Sequence, residues 1–214
     1  VQMATAMGFR VGIVSNAFWA ETPADALVWL NPFADLIENL TISTDLYHYS
    51  ETNSQQVRNA VAAAEELGIP LGTISVAQPE ETNAALSVGL IPSGESAVMY
   101  RGRATSKLVP RATLQPWNKF TSCPHEDLHE PGRCHLDPFG NLQICQGVSI
   151  GNIFQRSLKE ICSNYHPEAH PICGPLRSGG PVALVEEYNL PHAESYADAC
   201  HLCYAARLAL RERF

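Results

Sequence analysis

The sequence predicts an α/β fold in its first half, followed by a small cysteine-rich α+β module. The first prediction rests on short apolar runs of the buried parallel-strand kind, which alternate with helical patterns up to residue 100. The second rests on the cysteines, because all seven lie after residue 122. Composition changes near residues 107–116, where the chain has two prolines and no periodic pattern. We therefore predict two domains, residues 1–106 and 107–214.

Charge and composition exclude several classes of partner. The 214 residues carry a formal net charge of −8, so no general basic field would attract nucleic acid or an anionic membrane. No apolar run approaches the roughly 20 residues of a membrane-spanning helix, and no signal peptide is visible. Together with an odd number of cysteines, these features predict reduced thiols in a cytoplasmic protein. Clustered cysteines are then metal ligands before they are disulfides.

The first half alternates predicted helices and strands. Caps such as Thr22, followed by proline, and glycines such as Gly68 mark where the helices begin and end. The predicted elements, in chain order, are a helix over Gln2–Met7 that ends at Gly8, a strand over Phe9–Ser15, a helix from Thr22 to Pro32, a strand over Leu40–Thr44, a helix from its cap Asn53 to Gly68, and strands over Leu71–Val76 and Ala97–Tyr100. Because the first helix starts at Val1 without a cap, we expect the chain to be a fragment.

Polar side chains gather just after the predicted strands. They are Ser15 and Asn16, then Ser43, Asp45 and His48, then Arg101 and Arg103. In parallel α/β folds, ligands sit at the carboxyl ends of the strands, so this is where we expect a pocket. The same residues would also serve as strand-end caps, as a surface histidine or in ordinary ion pairs. The sequence leaves both interpretations open.

The second half is organised by a predicted hairpin and a distant pair of cysteines. Within Gly132–Asn152, a Gly-Asn pair between two apolar runs predicts a tight hairpin that leads into Cys145. Cys200 and Cys203 form a C-x2-C at the start of a helix, a spacing that lets two thiolates point at one metal. The remaining predicted segments are a helix over Leu158–Tyr165, a loop over His166–Pro181 and a final helix over Ala197–Phe214. A hairpin cysteine facing a helical C-x2-C predicts a metal or iron–sulfur site.

Three of the seven cysteines are firm ligand candidates: Cys145, Cys200 and Cys203. An iron–sulfur cluster needs about four thiolates, and Cys123 and Cys134 compete for the fourth position. The sequence indicates that Cys162 belongs to the core, and it leaves the role of Cys173 open. One of the nearby histidines would alternatively replace a thiolate and complete a zinc site. These histidines are His125, His129, His135 and His201.

Two sets of motifs resemble radical S-adenosylmethionine (SAM) enzymes. In the first half, VGIVSNAFWA, LTISTDLYH and VMYRGRA, in that order, resemble later strands of the radical SAM partial barrel and their SAM-facing ends. In the second half, Gly140 stands five residues before Cys145, the segment IGNI follows, and CHLC closes the pattern. This half resembles a Twitch- or SPASM-like auxiliary iron–sulfur module. The resemblance covers almost the whole chain and implies part of a (β/α) barrel followed by that module.

The resemblance implies a function for the intact protein. That protein would cleave SAM to a 5′-deoxyadenosyl radical and modify a small-molecule or peptide substrate. It would use a second 4Fe–4S cluster and an electron donor such as flavodoxin or ferredoxin. This chain would supply an auxiliary 4Fe–4S cluster, and the resemblance favours Cys123 as its fourth ligand. The implied SAM or substrate contacts are Ser15, Asn16, Ser43, Asp45 and Arg101.

The sequence departs from the family in one large respect. The C-x3-C-x2-C loop that holds the SAM-binding cluster is absent. We therefore expect an N-terminally truncated chain that does not cleave SAM alone. Two other functions stay open: a non-catalytic, zinc-stabilised binding module on an α/β platform, and a degenerate relative that only binds peptide.

Overall fold

The chain divides into two units, Val1–Val98 and Met99–Phe214, in a computed structural model that describes residues 1–82 and 94–211. The sequence placed the boundary after residue 106. Residues 99–106 belong to the second unit because the Tyr100 backbone N–H donates to Asp198 Oδ2 at 3.1 Å. None of the described helices combines the length and the hydrophobicity that crossing a lipid bilayer requires.

The first unit alternates strands and helices, which confirms the α/β prediction. Its elements are α1 (Gln2–Ala6), β1 (Gly12–Ser15), α2 (Pro23–Leu30), a 3₁₀ turn (Asn31–Phe33), β2 (Asn39–Ser43), α3 (Gln55–Glu66) and β3 (Leu71–Ile74). The strands are parallel in the order β1-β2-β3. Ile13 lies opposite Leu40, which lies opposite Leu71. The described part of this unit therefore has an open three-stranded sheet and no closed barrel.

The core of the first unit lies between the sheet and two helices. Leu30 of α2, Ile42 of β2 and Val57 of α3 are almost fully buried and belong to one cluster. The apolar residues of α3 recur on one helical face, so that face is buried while the other stays polar. Val14 points away from this core and is 70% exposed. The helices therefore cover one face of the sheet.

The caps of the helices show where local sequence was decisive. Thr22 caps α2, as the sequence predicts, and Asp25 completes a capping box as its reciprocal partner. The predicted cap of α3 is wrong by one position. Ser54 caps the helix, because its hydroxyl accepts a hydrogen bond from Val57 N at 3.3 Å. Asn53 precedes it with φ +57°, the left-handed conformation that asparagine tolerates.

The predicted fourth strand, Ala97–Tyr100, does not form. The only pairing nearby in the described residues is an isolated parallel bridge between Val76 and Ser96. Past that bridge the chain leaves the sheet, and the Tyr100 N–H binds the Asp198 carboxylate instead of a strand. A long-range hydrogen bond therefore overrides the local apolar pattern.

The second unit combines two small antiparallel sheets with helices. Its elements are α4 (Arg103–Lys107), a 3₁₀ turn (Val109–Arg111), β4 (Gln115–Pro116), a 3₁₀ turn (Trp117–Lys119), β5 (His135–Leu136), β6 (Asn141–Cys145), β7 (Val148–Asn152), α5 (Leu158–Ser163), α6 (Cys173–Glu187), β8 (Ser195–Tyr196) and α7 (Ala199–Leu210). One sheet has the order β5-β6-β7, and the other pairs β4 with β8. Ile144, Leu184, Leu202 and Leu210 form the centre of a core shared by β6, α6 and α7.

A hairpin forms as predicted, with β5 and β6 antiparallel. The predicted tight Gly-Asn turn is wrong, because residues 137–140 connect the strands and Asn141 is the first residue of β6; Gly140 has φ +83° in this turn. The predicted loop over His166–Pro181 is wrong in its second part, because α6 begins at Cys173. Proline and glycine in that segment produce a kink inside the helix, where Gly180 has φ +65°. The final helix runs to Leu210, and its predicted end at residues 212–214 lies outside the described residues.

Candidate metal centre

A cavity in the second unit is lined by four of the seven cysteines, Cys123, Cys145, Cys200 and Cys203. The space open to the centre of a water molecule is about 20 Å³, slightly more than the roughly 10–15 Å³ that one buried water requires. The other residues that line it are Arg101, Pro124, Leu128, Val148, Leu176, Pro181, Ala199 and Arg207. Among the residues that the structure describes, the lining of the cavity therefore consists of thiols, apolar groups and two guanidinium groups, and it contains no carboxylate.

Helix α7 presents two of these thiols on one side. Cys200 and Cys203 lie in its first turns, and residues three apart in a helix share a face. Asp198 caps this helix, accepting a hydrogen bond from His201 N at 2.7 Å and one from Tyr100 N at 3.1 Å. Burial raises the pKa of Asp198, and the two hydrogen bonds oppose that rise. The cap fixes where α7 begins, and so fixes the C-x2-C against the cavity.

An irregularity in β6 brings Cys145 to the same cavity. Gln143 pairs with Ser149 and Cys145 pairs with Val148, so Ile144 has no partner of its own. Neighbouring residues of a regular strand point to opposite faces, and a bulge of this kind redirects one of them. Ile144 and Cys145 therefore both contact the core of the second unit.

The kink of α6 holds the loop that carries Cys123. Val182 N, just after the kink, donates to Phe120 O at 3.2 Å. Gly180 lies so close to this loop that a Cβ there would stand 2.3 Å from Ser122 N. Direct backbone packing of the loop on the kink places Cys123 beside the other three cysteines.

Two arginines lie beside the thiols. Arg101 Nη1 lies 3.2 Å from Cys145 Sγ, and Arg207 lines the same cavity as Cys203. Arg207 Nη1 also donates to Gln146 O at 3.1 Å. Its Nε is buried and has no hydrogen-bond partner among the described residues. Arg103, the other predicted arginine, is exposed at the start of α4.

Burial dominates the protonation of these thiols. It raises the pKa of Cys145, and Arg101 and Arg207 oppose the rise. It raises the pKa of Cys203 to about 11, with Arg207 again opposing. Burial also raises the pKa of Cys200, and Asp198 adds to that effect. These three thiols are therefore neutral at pH 7 in the metal-free protein, and a metal displaces their protons when it binds.

The other three cysteines lie elsewhere. Cys134 and Cys162 are exposed, so the prediction that Cys162 packs in the core is wrong: it faces solvent from α5. Cys173 is fully buried, and burial raises its pKa to about 11, an effect that the Tyr165 hydroxyl opposes. Of the two candidates for the fourth position, the structure places Cys123, and not Cys134, at the cavity.

The spacing of the donor atoms bears on which metal group fits. Among the described residues, one set of three ligand atoms lies within 4.8 Å of one another, and it consists of His125, Asp198 and Cys200. No three of the four cavity cysteines meet that spacing. Sulfurs around a single tetrahedral zinc would lie roughly 3.8 Å apart, given a Zn–S bond of about 2.3 Å. No three of the four thiols are therefore close enough, as they stand, to hold a single zinc ion.

The predicted site residues of the first unit follow β1 and β2, at the carboxyl ends of the parallel strands. Ser15 Oγ accepts a hydrogen bond from Trp19 Nε1 at 2.9 Å. Ser43 is the last residue of β2. Asn16 Nδ2 lies 3.5 Å from His48 Nδ1, so the loops after the two strands meet there.

Asp45 has a structural role in its own loop. Its Oδ1 accepts a hydrogen bond from Tyr47 N at 3.1 Å, and the residue is only 6% exposed. Arg101, which the sequence grouped with these residues, belongs to the second unit. The structure therefore brings Ser15, Asn16 and Asp45 to one edge of the sheet and puts Arg101 beside Cys145.

Sequence reasoning missed Arg207. The signal was present, because Arg207 follows Cys203 by four residues in a helix and so lies on the same face.

Comparisons of the chain with protein-family models, with curated proteins and with solved structures found no match.

Proposed function

We propose that the second unit holds an iron–sulfur cluster through Cys123, Cys145, Cys200 and Cys203, and that the chain is part of a radical SAM enzyme. One observation carries the proposal: four cysteines from three separate segments line one cavity. Thiolates are the usual ligands of such clusters, four for each cluster. When bound, the group supplies one-electron transfer.

The residues around the cysteines fit this group. A cluster with four thiolate ligands is an anion, and two always-charged guanidinium groups line the cavity. The buried Nε of Arg207 has no acceptor among the described residues, so an anionic occupant would provide one. The apolar residues of the lining would limit contact between solvent and the bound group, which helps to set its reduction potential.

The first unit would contribute contacts to SAM or to a small-molecule or peptide substrate. The residues proposed for this role are Ser15, Asn16, Ser43 and Asp45. They follow parallel strands whose carboxyl ends share one edge, where ligands of α/β folds bind. A cytoplasmic location and an electron donor such as flavodoxin or ferredoxin belong to the same proposal.

The proposal is tested by anaerobic reconstitution of the chain with iron and sulfide. We expect about four irons and four sulfides per chain, with a broad visible absorption band from the thiolate-bound iron. Cys145→Ala and Cys203→Ala should lose the band. Cys134→Ala and Cys162→Ala are matched controls that remove an exposed thiol, and both should keep it.

A structural zinc module is the second candidate function. Its specific support is the close set of His125, Asp198 and Cys200, although the Asp198 carboxylate already caps α7. Metal analysis separates the two candidates. A result of one zinc per chain with no bound sulfide would contradict the cluster proposal and favour a zinc-stabilised binding module.

A further inference from the structure

We propose that Arg101 and Arg207 balance the charge of the group bound at the four cysteines and thereby raise its reduction potential. This inference rests on the function proposed above. It assigns a role to two side chains that come from opposite ends of the second unit and meet at one cavity.

Arg101 lies against Cys145, one of the proposed ligands. Its Nη1 lies 3.2 Å from Cys145 Sγ, within the range for a hydrogen bond to sulfur. A guanidinium that donates to a thiolate forms a charge-assisted bond, which is about twice as strong as a neutral one. Arg101 therefore acts on the metal group through its ligand Cys145.

The turn between β6 and β7 holds the side chain of Arg207 in place. It closes over the guanidinium, because Nη1 donates to Gln146 O at 3.1 Å. A Cβ at Gly147, which has φ +83°, would lie 2.7 Å from the same Nη1. The turn thus leaves just enough room for this side chain, whose buried Nε still lacks a partner among the described residues. Arg207 is positioned beside Cys203 on a rigid helix.

Charged groups of both signs lie near the four thiols. The charged groups that act on Cys145 are the guanidinium groups of Arg101 and Arg207 and the Glu126 carboxylate. The described residues that line the cavity include two guanidinium groups and no carboxylate, although an Asp198 carboxylate oxygen lies within 4.8 Å of Cys200 Sγ. Arg101 and Arg207 are therefore the cations nearest the thiols, and they offset this negative charge as well as that of the bound group.

The two guanidinium groups favour the reduced state of the bound group. One-electron reduction adds one negative charge to the bound group, transfers no atom and takes its electron from an external reductant. Nearby positive charge and hydrogen bonds to sulfur favour that more negative state. Removing either guanidinium therefore lowers the reduction potential.

The test is an anaerobic redox titration of the reconstituted chain with dithionite, followed by electron paramagnetic resonance. Arg101→Met and Arg207→Met should each change the ratio of reduced to oxidised cluster at a fixed potential by tenfold or more, a shift of about 59 mV to lower potential. Arg103→Met removes the same charge from an exposed position two residues away and should leave the potential unchanged.

Lysine variants keep the proposal testable where a methionine variant loses the cluster. Arg101→Lys and Arg207→Lys retain the charge but lose the planar donor, so their potentials should lie between those of the methionine variants and the wild type. Wild-type potentials in all four variants would overturn the inference while leaving the cluster proposal intact. A wild-type chain that binds no iron and sulfide would overturn both.

Discussion

Asp137 shows how one carboxylate fixes the hairpin that ends in Cys145. Its Oδ1 accepts hydrogen bonds from Phe139 N at 2.9 Å and Asn141 N at 3.0 Å. Its Oδ2 accepts from Asn141 Nδ2 at 2.9 Å and Gln143 Nε2 at 3.0 Å. These bonds lower the pKa of Asp137, the Asn141 side chain contributing most. The ionised carboxylate therefore organises the turn.

A pH dependence follows from this arrangement. Because the folded pKa is depressed, Asp137 contributes stability at pH values above its unfolded pKa of about 3.9. That contribution is lost as pH falls through the folded pKa. Asp137→Asn should lower the melting temperature at pH 7, and the difference from wild type should shrink towards pH 3. Thermal unfolding followed by circular dichroism from pH 3 to 7 measures this difference; a constant difference over the range would contradict the prediction.

At the level of elements, the kink of α6 connects the core to the Cys123 loop. Gly180 is the contact point, because its α-carbon packs directly on the backbone of Thr121 and Ser122. Its φ of +65° is also a conformation that other residues adopt at a cost. A side chain at this position would push the loop away from the cavity.

Gly180→Ala should therefore destabilise the second unit by about 3 kcal/mol, from strained backbone and overpacking together. It should also reduce iron binding, because Cys123 is displaced. Gly132→Ala is the matched control, since Gly132 has open space around it, and its effect should stay within about 0.5 kcal/mol. Urea unfolding and iron analysis of both variants provide the measurement. Equal stabilities of the two variants would refute the packing argument.

Helix α7 carries two cavity cysteines on a buried face, so its packing sets the geometry of the site. Leu202 lies between them in sequence and is fully buried, whereas Leu208 of the same helix is 49% exposed. Truncating a buried leucine removes apolar contact and leaves a cavity.

Leu202→Ala should cost about 2–5 kcal/mol of unfolding free energy. Leu208→Ala, the control in the same helix, should change the unfolding free energy by about 0.5 kcal/mol. Urea denaturation of the metal-free chain measures both values. A cost for Leu202→Ala as small as that of the control would show that α7 does not pack as described.

On the scale of the whole molecule, the described residues of each unit form a core of their own. One contains Leu30, Leu40 and Ile42 of the first unit, and the other contains Leu184 and Leu202 of the second. All seven cysteines belong to the second unit. A group that binds the native thiols stabilises the part of the fold that forms them.

Hydrogen exchange should therefore respond unequally to reconstitution with iron and sulfide. Amides of β6, β7 and α7 should exchange more slowly in the loaded chain, because local opening must now release the bound group. Amides of β1, β2 and β3 should be unchanged. Mass spectrometry of peptides from both units measures these exchange rates with and without the bound group. An equal gain of protection in the two units would argue against a stabilising group confined to the second.

Much of the fold could be predicted from local patterns. The capping box at Thr22, the helical period of α3 and the Gly140 turn are all encoded within a few residues, and the structure contains each of them. Predictions failed where a distant group competed. Tyr100 leaves the expected strand for the Asp198 carboxylate. Residues 173–178 are helical despite Gly174 and Pro175, whereas Gly179 and Gly180 interrupt the helix.

Spacing along the chain is enough to predict the alternation of strands and helices, a hairpin that leads into Cys145 and the C-x2-C at the start of α7. Which thiols meet depends on contacts between distant segments. Cys123 reaches the cavity because its loop packs on the Gly180 kink, and Cys145 lies where the pairing of β6 with β7 is irregular. Arg101 and Arg207 lie 106 residues apart in the sequence, and long-range packing alone brings them to the same sulfurs.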